Sequence, residues 1–173
     1  MPRTNTCRWA LRSLGALCLI SASLAAGASA AKAPLVFERD DGLVIRFSGT
    51  PRVWCGPWDE EVARRSVHIS QRGAKRGWEL SAVRRDVKVG RPIEFPNEFV
   101  YTRPRRAQVF VYDAAIEASS AEEESSGSMV FSRLSCKLGG VVEFSIDAVL
   151  GSELSGEPVQ VSGTYSGLVS KRP

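Results

Sequence analysis

A strict two-residue alternation in the last third of the chain constrains its fold more than any other feature. Val142, Phe144, Ile146, Ala148 and Leu150 alternate with Glu143, Ser145 and Asp147, and Val159, Val161, Gly163 and Tyr165 alternate with Gln160, Ser162 and Thr164. Successive side chains of an extended strand point to opposite faces, so each run writes one dry face and one wet face, the pattern of a half-buried antiparallel strand. Between the runs, Gly151, Ser152, Ser155, Gly156, Glu157 and Pro158 carry turn chemistry and no apolar period. Two long strands joined by a hairpin or a short loop are expected over Val141 to Tyr165.

The first thirty residues have the layout of a secretory signal. Arg3, Arg8 and Arg12 form a basic start, Leu14 to Leu24 an apolar centre, and Ala28, Ser29 and Ala30 a small-residue exit. The apolar centre is shorter than the roughly 20 residues of a spanning helix, so cleavage after Ala30 is expected, and no transmembrane segment in the mature chain. The segment holds three of the 23 basic residues and none of the 19 acidic ones, which lowers the formal charge from +4 to +1 after cleavage. The basic balance is therefore no argument for a nucleic-acid partner. The mature chain, 31–173, has the size of one domain with one core.

Cleavage also removes Cys7 and Cys18 and leaves Cys55 and Cys136. An even pair in an exported chain reads first as a disulfide, here closing a loop of roughly 80 residues and worth about 4 to 5 kcal/mol in the chain-entropy account.

Along the chain, Asp40, Asp41 and Gly42 separate two β-prone runs, the second being Leu43, Ile45 and Phe47, so a hairpin is expected there, ended by Gly49, Thr50 and Pro51. Trp54, Cys55, Gly56, Pro57 and Trp58 come next. This run resembles the thioredoxin active site, Trp-Cys-Gly-Pro-Cys, with Trp58 in place of the second cysteine; the resemblance implies a thiol enzyme whose nucleophile is Cys55. The departure removes the resolving thiol on which local disulfide exchange depends. The alternative is a tight turn holding a disulfide cysteine beside two packing tryptophans. Asp59 to Arg65 has acids first and arginines last, as one helical turn would.

Ser66 to Ser70 and Trp78 to Ala82 return to period two around a basic, glycine-bounded turn. His68, the only histidine, falls at an outward strand position, which points to a surface histidine. One histidine without spaced cysteines or paired acids gives too few ligands for a transition metal, so neither metal nor cofactor is expected. Short edge strands are expected around Ile93 to Phe95 and Phe99 to Tyr101. Ala107 to Ala114 is apolar on both faces, which places it inside a sheet. Ala115 to Ser128, rich in Ser and Glu, reads as a mobile solvated loop. Met129 and Phe131 are then expected on one face of a strand and Val130, Leu134 and Cys136 on the other.

Charge is uneven: residues 64 to 106 hold 12 basic and 4 acidic side chains, and residues 107 to 160 hold 2 basic and 9 acidic. One reading pairs the basic strands with acidic ones, the wet face of Val141 to Tyr165 being the partner of the arginine-rich middle. The other builds an anion-binding face from Arg84, Arg85, Arg105 and Arg106, with Trp54, Trp58, Trp78 and Tyr101 as aromatic contacts.

Eight to ten strands with turn signals every 8 to 12 residues give an antiparallel β-sandwich, Greek-key or jelly-roll-like, with a closed lipocalin-type barrel as runner-up. The leading functional reading is an exported, periplasmic or extracellular, non-catalytic module that binds an anionic envelope glycan or lipid headgroup. A carrier of a small apolar or amphipathic ligand comes second. An enzyme comes third, through the Cys55 thiol or through two sequence-distant carboxylates acting on a glycoside.

Overall fold

The computed structural model describes residues 34–57, 65–96, 99–100, 103–104, 107–114, 116–152 and 156–171. The signal segment expected at 1–30 lies outside these residues, as does the expected helical turn from Asp59 up to Arg65, which itself opens a strand. In chain order the strands are β1 Val36–Arg39, β2 Arg52–Pro57, β3 Arg65–Arg72, β4 Gly77–Val83, β5 Pro92–Glu94, β6 Phe99–Val100, β7 Arg103–Pro104, β8 Ala107–Asp113, β9 Ile116–Ser119, β10 Ser126–Leu134, β11 Val141–Leu150 and β12 Val159–Leu168.

Two five-stranded antiparallel sheets face each other, ordered β1-β12-β11-β10-β5 and β2-β3-β4-β8-β9, while among the described residues β6 pairs with β7 alone. The sheets are not closed into a barrel, so the molecule is a β-sandwich. The alternation in β11 and β12 explains the first sheet. Val142, Phe144, Ile146, Ala148 and Leu150 are all buried, and β12 pairs along the whole length of β11, from Val141 opposite Leu168 to Leu150 opposite Val159. Val67, Ile69, Leu80, Val109 and Val111 answer from the second sheet. Between the sheets an unbroken file of rings runs Phe47, Phe37, Trp78, Tyr165, Phe144, Phe131, each 5.0 to 5.8 Å from the next. Such contacts add to area burial and fill the interior with side chains.

The hairpin expected at Asp40 to Gly42 forms, with Arg39 N–H donating to the Leu43 carbonyl at 2.9 Å and Gly42 at φ +80°. Beyond Leu43 its second arm meets β1 through Val44 opposite Glu38 and Ile45 N–H donating to the Phe37 carbonyl, and Phe47 packs edge-on against Phe37. β8 is an interior strand, as expected, between β4 and β9; its outer residues Phe110 and Tyr112 are half-buried, not buried.

Four expectations are corrected. Trp54 to Pro57 is no turn: it is the second half of β2, an edge strand in which Pro57 costs no interior ladder bond. Leu134 packs on the core with Met129 and Phe131, because a bulge between Phe131 and Arg133 inserts one residue and resets the alternation. The wet face of β11 and β12 is on the outside of the first sheet, whereas β3 and β4 belong to the second, so it is not the partner of the basic strands; of the ion pairs among the described residues only Arg76 with Asp113, at 3.5 Å, joins the basic and acidic segments.

The fourth correction concerns the Ser/Glu-rich run, which is not a solvated loop where it is described. β9 occupies Ile116–Ser119, and Ser119, Ser120 and Ser125 are buried. Their hydroxyls serve the backbone: Val109 N–H donates to Ser120 Oγ at 2.9 Å, Ser125 O–H donates to the Ser119 carbonyl at 2.8 Å, and Gly151 N–H donates to Ser125 Oγ at 2.9 Å. Hydrogen bonds of this kind order a segment that buries little apolar surface. They also join β9, at the edge of the second sheet, to the end of β11 in the first, where Ser119 N–H donates to the Gly151 carbonyl at 2.9 Å.

The opposite corner is closed covalently. Cys55 of β2 is bonded to Cys136, just after β10, with sulfurs 2.03 Å apart. Alongside, Val169 forms a parallel bridge with Val53, and Ser170 donates to the Val53 carbonyl from its N–H at 2.7 Å and its hydroxyl at 2.9 Å. Both edge strands of the second sheet, β9 and β2, are thereby tied to the first sheet.

Candidate functional site

Register fixes what the second sheet presents outward. Val53, Ile69, Leu80 and Val109 form one inward rung, so the neighbouring rung of Trp54, His68, Ser81 and Gln108 points out, and Arg52, Ser70, Glu79 and Phe110 form the next outward one. On β3 the same parity brings Arg72 out beyond Ser70.

At the β2 edge of this face lies an open groove of about 670 Å³. The loop before β2 contributes Ser48 and Thr50, β2 contributes Arg52 and Trp54, and β3 contributes Ser70 and Arg72. Its loop wall is held from within the molecule. Gln71 Nε2 donates to the Gly49 carbonyl at 2.8 Å while Gln71 Oε1 accepts from Trp78 Nε1 at 2.8 Å, so a core tryptophan positions the loop through one amide.

The Trp54 ring is half-buried and stacks on His68, centroids 5.4 Å apart and planes 18° from parallel. His68 is 8% exposed, which corrects the surface assignment: the outward face of β3 is covered at this rung. Its Nε2 lies 2.9 Å from the Pro57 carbonyl, which can only accept, so Nε2 carries a hydrogen, and Nδ1 lies 2.8 Å from Ser81 Oγ. Both contacts orient the imidazole and with it the tryptophan; His68 is a positioning residue.

The cations differ. Arg72 Nε donates to Glu79 Oε1 at 2.6 Å, and this hydrogen bond and the carboxylate charge hold the guanidinium above its usual pKa range. Arg52 is exposed and makes no ion pair among the described residues. An aromatic plate, an unneutralised guanidinium and hydroxyls on one open face suit a polar ring bearing a carboxylate, sulfate or phosphate.

No protein-family model, no curated protein and no solved structure matches this chain.

The residues expected to form an anion-binding face are not brought together at this groove. Arg84 and Arg85 follow β4 at its far end, exposed, with Arg84 N–H donating to the Arg65 carbonyl and Arg85 Nε 3.3 Å from Asp86. Arg105, Arg106, Trp58 and Tyr101 lie outside the described residues. Trp78 is 2% exposed and is corrected from a contact residue to a core residue, because it shares strand parity with Leu80 and Ala82. Of the aromatic candidates described, Trp54 alone lines the groove.

Arg52, Ser70 and Arg72 carry no motif that marks them in the sequence. The signal was present in part, since Arg52 has the parity of Trp54, and Ser70 and Arg72 that of His68. Which residue of β3 lies opposite which residue of β2 is set by register, and the sequence leaves that open. Cys55, bonded to Cys136, offers no thiolate. Among the described residues no cluster of His, Cys, Asp and Glu is arranged to hold a metal ion.

Proposed function

We propose that this chain is an exported, non-catalytic β-sandwich module that binds an acidic glycan in the Trp54 groove. The observation that carries the reading is the pairing on one open face of Trp54, held by its stack on His68, with Arg52, which has no ion pair among the described residues. The apolar face of a pyranose ring packs against indole, while its carboxylate takes the planar fork of an arginine. A surface site is favoured over an interior one because the file from Phe47 to Phe131 occupies the space between the sheets that a carrier's ligand needs. The disulfide is compatible with an oxidising compartment, and the layout of residues 1–30 with export.

Titration with polygalacturonate, with its neutral methyl ester and with phosphatidylglycerol vesicles tests this reading. Binding of the acidic polymer alone is expected, weakening as salt is added and falling about tenfold or more in R52A and in W54A. Equal binding of the ester refutes the charge requirement, and binding of the vesicles in place of the polymer replaces the glycan by a lipid surface.

A further inference from the structure

The Trp54 groove continues past β2. A second groove of about 650 Å³ follows the outer edge of that strand, lined by Thr50, Pro51, Arg52, Leu168, Ser170 and Lys171. Thr50 and Arg52 line both grooves, so the two abut at these residues. The far wall is fixed: both donors of Ser170 reach the Val53 carbonyl, at 2.7 and 2.9 Å, and Val169 bridges Val53, which holds the chain carrying Lys171 against the β2 edge. Lys171 is exposed and has no ion pair among the described residues.

Charge separates this track from the other grooves. The charged residues lining its two halves are Arg72, Arg52 and Lys171, of which Arg72 is paired with Glu79 at 2.6 Å while Arg52 and Lys171 make no ion pair among the described residues. The groove at Asp86, Lys88 and Arg91 and the one at Glu38, Arg39 and Asp40 mix signs. Each half of the track already has the volume of a whole small-ligand site, about 300 to 1,000 Å³, so one sugar ring fills only part of it.

We infer that the ligand is a linear acidic polysaccharide laid across the β2 edge, with successive anionic groups meeting Arg52 and Lys171, and not a single acidic sugar or a chain end. This rests on the reading of the Trp54 groove as a glycan site and adds its direction, its length and Lys171. Leu168, 64% exposed, gives the second half an apolar surface against which a further ring packs.

Isothermal titration with galacturonic-acid oligomers from monomer to decamer, on the wild-type chain, K171A and K88A, tests it. Lys171 is exposed and Lys88 lies in a different groove, so neither change threatens the fold. The expected result is a weakening of about tenfold in K171A for the decamer, no change for the shortest oligomer that binds, and no change in K88A for either. Equal weakening of short and long oligomers, or none for either, overturns the extended track while leaving the Trp54 site standing. Binding that R52A and W54A leave untouched, or no binding at any length, overturns the site itself and the track with it.

Discussion

At the scale of single residues, the buried serines show how much a hydroxyl carries when it serves main-chain groups. Ser125 Oγ gives its hydrogen to the Ser119 carbonyl and takes one from Gly151 N–H, with the residue 3% exposed. Ser125→Ala leaves the Gly151 N–H without its partner and takes one of two donors from the Ser119 carbonyl, which keeps the Glu122 N–H at 3.3 Å, at a cost of about 1 to 3 kcal/mol. Thermal or urea denaturation of S125A is expected to show a loss of that size, larger than for alanine at exposed Ser126. A loss equal to that of the control would mean that the serine cluster is incidental. Composition pointed the other way, because serine and glutamate are read as solvated unless a partner is known, and the partners Val109 and Gly151 lie on other strands or at their ends. His68 makes the same point at the site: strand parity predicts the face, but not whether that face is covered, whereas the burial of Trp78 follows from the parity it shares with Leu80 and Ala82.

Between elements, the decisive feature is the tie of β2, an edge strand of one sheet, to the other sheet. Cys55 and Cys136 are legible as a pair from their number once residues 1–30 are read as a signal segment, and the bond is there. That it joins the edge strand of one sheet to the end of β10 in the other is visible only in the fold. Because the bond fixes the strand bearing Arg52 and Trp54, its loss acts on stability and on the groove. The double variant C55A/C136A is expected to lose about 2 to 5 kcal/mol in chemical denaturation and to bind acidic oligomers more weakly than the oxidised chain. Unchanged binding with reduced stability would show that Val169 and Ser170 hold β2 by themselves. The alternation over Val141 to Tyr165 is legible strand by strand, since period two survives any partner. The face of Leu134 is not legible in the sequence, because a bulge resets the phase without leaving a mark that one strand alone reveals.

For the whole molecule, one core spans both sheets and the file of rings crosses it, so the described sandwich is expected to unfold in a single cooperative transition. Tyr165 links that transition to alkaline pH. Partial burial beside Phe144 and Trp78 raises its phenol from 10.0 to about 12. The folded chain therefore keeps a proton that the unfolded chain releases above pH 10, and the stability this group contributes is constant below that value and falls as pH rises toward 12. Denaturant midpoints measured across this window are expected to decline, and to decline less in Y165F; an equal decline in both would assign the effect to other groups. The sequence by itself determined the all-β class, the long strand pair and the cysteine pair, because alternation and cysteine count are local properties that do not depend on which strands are neighbours. Only the tertiary structure decided sandwich over barrel, the burial of the serines, and the candidate site. Arg52, Trp54, Ser70, Arg72 and Lys171 come from three separate segments, and it is the pairing of β2 with β3 and the return of the chain after β12 that bring them to one edge.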